Sequence, residues 1–275
     1  MLRILSDLHV NDGLSRIHRL EQLDPLLEGP DALLINGDSC DTQGDHGRET
    51  AQALTAHLRS RAPNVTFLTG NHDPDISSQH EALLQAGRVW VTHGDVFFPD
   101  ATPWSRLRPE LRRRIAAAER ETDPRTRDSL EWRLRIYRQI AVGLPTPHDA
   151  HSRSWRRLAE RVLTEFGSAR RVWAVVQAWR QGAALAAQLT RRYRPSADVV
   201  IFGHIHRAFL GQRDGRTIIN TGAFAGALRA WCVDLVDDRL HVREIQQRRG
   251  SFHAGRVLTE IPLAARANAR LSSAA

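Results

Sequence analysis

The chain has no lysine: its 39 basic residues are all arginine, against 31 acids, for a formal charge of +8. Coding composition produces such a bias as readily as nucleic-acid binding does, so the total charge alone assigns no partner. Cysteine is almost missing as well, with only Cys40 and Cys232, which excludes a disulfide framework and fits a reducing compartment. No uninterrupted apolar run approaches the roughly 20 residues of a membrane-spanning helix. The first twenty residues lack a signal peptide's apolar stretch, because Asp7, His9, Asn11 and Asp12 interrupt it. A soluble cytoplasmic protein is therefore expected. The remaining composition, 41% hydrophobic and 25% charged over 275 residues, suits one elaborated globular domain or two small ones.

The first 95 residues alternate in strand and helix patterns. Residues 2–6, 32–36, 65–69 and 89–92 are short apolar runs ending in polar residues or glycine, which predicts buried strands. Residues 14–27 and 49–58 carry apolar side chains at helical spacing. This βαβ rhythm predicts an α/β fold with ligands at the carboxyl ends of the strands. From 96 to 197 the pattern changes to an arginine-rich helical insertion, with 21 arginines against 10 acids where residues 1–95 have 7 against 14. Helices are expected over 107–121, from the Asp123-Pro124 cap through Ile140, over 154–166 and over 168–192, with a break at Pro145 and Pro147. Strands resume at 198–202, 217–220, 230–234 and 240–245, the last pair joined by a turn at Asp237-Asp238, and these later strands are expected to be antiparallel. The core is thus read as 1–95 plus 198–263, with 264–275 as a flexible tail.

Five short clusters sit where predicted strands end: Asp7-Leu8-His9, Gly37-Asp38-Ser39-Cys40-Asp41, Gly70-Asn71-His72-Asp73, His93-Gly94-Asp95 and Gly203-His204-Ile205-His206. Seven side chains in them bear oxygen or nitrogen donors suited to borderline or hard divalent cations: Asp7, His9, Asp38, Asn71, His93, His204 and His206. Asp7 and His9 are two apart, so a bend at the strand end turns both toward one ion, and Asp38 has two oxygens with which to bridge two. Two cations about 3.5–4 Å apart hold an attacking hydroxide between them and clamp phosphoryl oxygens. Each cluster alone is weak, since Gly37-Asp38 and Gly70-Asn71 are also turn chemistry.

In order and spacing the clusters resemble the calcineurin-like metallophosphoesterases, whose pattern is D-x-H, G-D-x-x-D, G-N-H-D/E, a later H, and G-H-x-H. The resemblance covers roughly residues 5–206. It implies a four-layer α-β-β-α sandwich and a dinuclear metal-dependent hydrolase of phosphoric esters or diphosphates, in which a metal-bridging hydroxide attacks phosphorus in line. It implies Asp7, His9, Asp38 and His206 around one ion, and Asp38, Asn71, His93 and His204 around the other. Mn²⁺ is the expected metal, with Fe²⁺, Zn²⁺ or Mg²⁺ as alternatives. It also implies His72 beside the phosphate and Asp73 orienting His72.

The insertion holds Trp104, Trp132, Trp155, Trp173 and Trp179 and both tyrosines, Tyr137 and Tyr193. These aromatics read either as the core of a helical subdomain or as a lid over an apolar substrate portion, with arginines meeting phosphate. An arginine-rich helical insertion between HGD and GHxH is similar in layout to the bacterial UDP-2,3-diacylglucosamine pyrophosphatases, which cut a nucleotide-linked diphosphate at a membrane surface. Those enzymes carry arginine where this chain has His72. Their likeness implies a nucleotide- or lipid-linked phosphate as substrate and peripheral contact with the inner membrane surface. Arg106, Arg108 and Arg112–Arg114 stand nearest the site entrance in sequence. Two other readings remain: a nuclease of the same family, and a non-catalytic metal-site scaffold that binds a partner protein.

Overall fold

The structure, a computed structural model, describes residues 1–43, 46–144 and 168–263. The expected helix at 154–166, the break at Pro145 and Pro147 and the expected tail at 264–275 lie outside the described residues. Among those described are the strands β1 (Leu2–Leu5), β2 (Ala32–Asn36), β3 (Asn64–Leu68), β4 (Glu81–Leu84), β5 (Val89–Thr92), β6 (Val199–Phe202), β7 (Phe209–Arg213), β8 (Arg216–Asn220), β9 (Trp231–Val236), β10 (Arg239–Arg248) and β11 (Ser251–Pro262).

Successive side chains of a strand face opposite ways, and here both faces are apolar. Ile4 and Leu34 of the first sheet join Val89, Val91, Val199, Ile201 and Ile219 of the second in one buried layer. Their neighbours Leu5, Leu33 and Ile35 turn outward to Leu26, Leu27, Leu54 and Leu58 of helices α1 (Asp24–Leu27) and α2 (Gly47–Arg61). On the far side Trp90, Val200, Phe202 and Ile218 meet Ala178, Ala186, Ala187 and Leu189. Those four residues belong to a long helix that follows α3 (Arg108–Glu121), α4 (Pro124–Arg127) and α5 (Leu130–Val142) and is α6 (Ala169–Tyr193). Helix, sheet, sheet, helix is the four-layer order that the family resemblance implied. The apolar faces of α2 and α6 explain why they are helices here: each has a core stripe to bury, which propensity alone does not supply. None of the described helices is long and apolar enough to cross a membrane.

The six-stranded sheet runs β11-β10-β9-β1-β2-β3 and the five-stranded sheet β4-β5-β6-β8-β7. Strands β1, β2 and β3 are parallel, as are β5, β6 and β8, so their carboxyl ends gather the loops that follow. A buried pair, Arg3 with Asp234, fixes the antiparallel register of β1 on β9 through contacts of 2.7 and 2.8 Å.

Several expectations need correction. Residues 14–19 do not form a helix; helical structure begins at Leu20. The backbone there is drawn elsewhere, with Leu14 N–H donating to the Asp12 carboxylate and Arg16 N–H to the Phe224 carbonyl. The helix expected after Asp123 is two pieces, because Ser129 accepts from Trp132 N–H and caps a fresh start for α5. Strand β8 runs parallel to β6, not antiparallel, because the unforeseen β7 intervenes and returns the chain before β8 begins. Strands β4 and β11 were also unforeseen; β4 (Glu-Ala-Leu-Leu) has no β-branched residue, and β11 pairs over its length with β10.

Candidate metal centre

Each sequence cluster lands in the loop after a parallel strand, and backbone bonds tie the loops together. Asp7 N–H donates to Gly37 O (3.1 Å), His9 N–H to Asp38 O (3.0 Å), Thr42 N–H to His72 O (3.0 Å) and Gly203 N–H to His93 O (2.9 Å). Two glycines are required by close approach. A Cβ on Gly203 would stand 1.9 Å from Asp7 Oδ2, and one on Gly70 would stand 2.2 Å from Asp38 Oδ1. Backbone conformation is equally constrained. Asp7, His9, Asp38, His204 and His206 all hold positive φ, between 49° and 67°, a region that L-residues other than glycine enter uncommonly and that clusters at functional sites.

The seven expected donors are brought together. One ligand atom from each of Asp7, His9, Asp38 and His206 lies within 4.8 Å of the others, and Asp38, His93 and His204 form a second such group. Asp38 belongs to both. His206 Nε2 is 3.2 Å from Asp7 Oδ1, His9 Nε2 is 3.0 Å from His206 Nε2, and His93 Nε2 is 3.2 Å from Asp38 Oδ2. Asn71 joins the second group through Oδ1, 3.2 Å from His93 Nε2.

The imidazoles are aimed by backbone carbonyls. His93 donates Nδ1–H to Asn36 O (3.2 Å), which leaves Nε2 toward Asp38. His204 donates Nε2–H to Ala101 O (2.9 Å), which leaves Nδ1 facing His93. Such partners fix both tautomer and ring orientation in metal sites. Trp104 and Phe98 lie over His204, with ring centroids 5.0 and 5.7 Å away. Burial and the neighbouring His206 charge push His9 down to about 4; burial and the His93 charge do the same for His204. Burial opposes charge on His93 also, but Asp38 outweighs it and raises His93 to about 9. Burial likewise acts upward on Asp38, yet His93 and His72 hold it well below the usual carboxylate range.

His72 stands beside this group, its ring 5.3 Å from that of His9 and its backbone N–H donating to Asp38 Oδ1 at 2.9 Å. Against burial, Asp38 and then Asp41 raise it to about 10. The carboxylate that faces its ring is Asp41, whose Oδ2 lies 3.9 Å from His72 Nδ1. Asp73, expected in that place, is turned away. It accepts from Asp38 N–H (2.9 Å), Ser39 N–H (2.7 Å) and Gly70 N–H (2.7 Å) and from the Ser39 hydroxyl, and so pins the loop that carries Asp38. Its four donors leave it nothing to offer the imidazole. Spacing in the second cluster does not single out Asp41 for this place, because side-chain direction after a strand depends on the turn.

A cavity opens beside His72. Asp41, Asn71 and His72 line it together with Thr102, Ser105, Leu107, Leu111 and Tyr137. The arginines expected at the entrance point elsewhere: Arg108 and Arg112 bind Asp100 (2.7 and 2.6 Å), and Arg113 and Arg114 bind Glu110 (2.6 Å each). Arg106 is not among the cavity's lining residues. The sequence reading also missed Asn220 and Thr221. Asn220 donates to Gly203 O, and Thr221 Oγ1 meets Ser6 Oγ, which in turn donates to Asp7. Asn220 ends strand β8 and Thr221-Gly222 follow it, so the rule that found the other clusters also marks this one.

A family model described as calcineurin-like phosphoesterase matches residues 2–208. Among curated proteins, none matches significantly. Similar solved structures include Vps29 from Cryptosporidium parvum, at 14% identity over 95% of this chain and 97% of that one, with a TM-score of 0.48. Vps29 from Entamoeba histolytica complexed with Zn²⁺ is 14% identical over 96% and 99% of the two chains, with a TM-score of 0.44. A dimetal phosphatase from Danio rerio is 10% identical over 96% and 98%, with a TM-score of 0.46.

Proposed function

The chain belongs to the calcineurin-like phosphoesterases, and from that membership we propose that it is a hydrolase of phosphoric esters or diphosphates that works with two divalent cations. The observation that carries this reading is Asp38, which stands in two separate donor groups, each gathered within 4.8 Å. Asp7, His9, Asp38 and His206 would hold one cation, and Asp38, Asn71, His93 and His204 the other. The mixture of carboxylate, imidazole and carboxamide suits Mn²⁺, Fe²⁺ or Zn²⁺, and the buried carboxylates suit a positive charge. When bound, such a pair supplies Lewis acidity, making water acidic near neutral pH and neutralising phosphoryl oxygens.

The protein's own groups do the rest. His72, held close to Asp38 by its backbone and facing Asp41, is placed to hold a proton for the leaving oxygen. Asp73 keeps the Asp38 loop in place. The apolar residues in the cavity's lining, Leu107, Leu111 and Tyr137, favour a substrate with an apolar portion next to its phosphate, as a lipid-linked phosphate has. A nuclease is less well supported, since Arg108, Arg112, Arg113 and Arg114 are matched to acids of the same chain.

Chelation tests the reading. Protein stripped of metal should lose turnover of a chromogenic phosphodiester, and added Mn²⁺ should restore it. Full turnover after verified metal loss would contradict the proposal. The apolar lining makes a second prediction. Across phosphodiesters of growing alkyl chain, kcat/KM should rise by up to about fourfold per buried methylene, from roughly 0.8 kcal/mol each. Leu111→Asn should flatten that slope while sparing the shortest member of the series. A slope that is the same in both proteins would remove Leu111 from the substrate's path.

A further inference from the structure

Helix α6 covers the second sheet and also grips the G-H-x-H loop at its middle residue. Trp179 donates its indole N–H to the Ile205 carbonyl at 2.8 Å. The Ile205 side chain, 3% exposed, lies against Gly182. A Cβ on Gly182 would stand 3.1 Å from Ile205 Cδ1, so the absence of a side chain there admits the isoleucine. Arg207 sets its guanidinium 5.6 Å from the Trp179 ring centroid, on the other side of His206 in sequence. The gripped segment is under conformational load. His204 and His206 hold φ of 67° and 56°, and between them Ile205 N–H bonds Gly203 O at 2.7 Å in a tight turn. Backbone in this region persists only where its surroundings over-determine it.

Packing α6 on the sheet needs only apolar surface, which the alanines at 178, 186 and 187 already provide. An indole N–H aimed at a loop carbonyl adds direction. We propose that Trp179 is a positioning residue for the metal centre: by holding the Ile205 carbonyl it sets the two flanking peptides, and with them His204 and His206. These histidines belong to different donor groups, so one hydrogen bond from α6 orients a ligand of each. The inference rests on the reading of both histidines as metal ligands.

Trp179→Phe keeps an aromatic ring and removes the donor. Mn²⁺ is titrated calorimetrically into metal-free wild-type and variant protein, and the unfolding midpoint of each metal-free protein is measured alongside. The variant should bind Mn²⁺ about 10–100-fold more weakly, the range for lost partners of metal ligands. Its midpoint should stay unchanged, and excess Mn²⁺ should restore turnover. Equal affinity in the two proteins overturns the proposal and leaves the metal centre standing. A lower midpoint with losses that excess Mn²⁺ does not rescue also overturns it, since that marks a merely structural contact. A wild-type protein that binds no Mn²⁺ removes the centre itself and the proposal with it. Should Trp179→Phe not fold, Gly182→Ala decides. Alanine favours the helix yet crowds Ile205, so weaker Mn²⁺ binding at an undiminished midpoint supports the proposal, and unaltered binding overturns it.

Discussion

Asp38→Ala is expected to release both cations at once and to lower kcat/KM by more than about a thousandfold, since even the outer partners of metal ligands are worth roughly 10–100-fold each. The reason is geometric. Asp38 stands in both donor groups, and its Oδ2 lies 3.2 Å from His93 Nε2. Replacement of a ligand in one group only, such as His206, should spare the other cation, so metal content separates the two cases. Elemental analysis after dialysis should find two cations per chain in the wild type and about none in Asp38→Ala. Retention of one cation by Asp38→Ala would show that the groups bind independently and that Asp38 bridges nothing.

His72→Ala should behave in the opposite way, with turnover falling by about 10²–10⁴-fold, as for lost general acids, while metal content stays at the wild-type level. His72 is the imidazole next to the donor groups that belongs to neither of them, and it lines the cavity together with Asn71 and Asp41. Because Asp41 faces that ring, Asp41→Asn should lower kcat in the same direction and by less. Asp73→Asn should act differently. It disturbs the N–H groups of Asp38, Ser39 and Gly70, so metal affinity should fall with it. If His72→Ala loses metal, the imidazole is a ligand and its assignment to the leaving oxygen is wrong.

The contrast between Asp41 and Asp73 shows what the sequence could and could not reveal. That these seven side chains gather was legible because several clusters of oxygen and nitrogen donors recur directly after short apolar strands, although each cluster alone is ordinary turn chemistry. Which neighbouring carboxylate faces His72 was not legible, since one peptide rotation in a tight turn reverses the direction of a side chain. The helical layers show the same division. A helix over 168–192 was evident from the sequence, but the face it buries was not: Val172 and Trp173 are exposed, while Ala178, Ala186 and Ala187 lie on the second sheet. The arginines of α3 were read as cations free to meet phosphate; Asp100 and Glu110, both close in sequence, already engage them. Strand β7 escaped notice because its residues, Phe-Leu-Gly-Gln-Arg, lack alternation, and without it the parallel course of β8 could not be foreseen.

The left-handed backbone at Asp7, His9, Asp38, His204 and His206 narrows the alphabet of this site from two directions. Short polar residues such as aspartate, asparagine and histidine tolerate that conformation better than most, and the same residues are good donors to hard or borderline cations. Glutamate at position 38, conservative in charge, would meet an objection from the main chain before its carboxylate ever reached the centre.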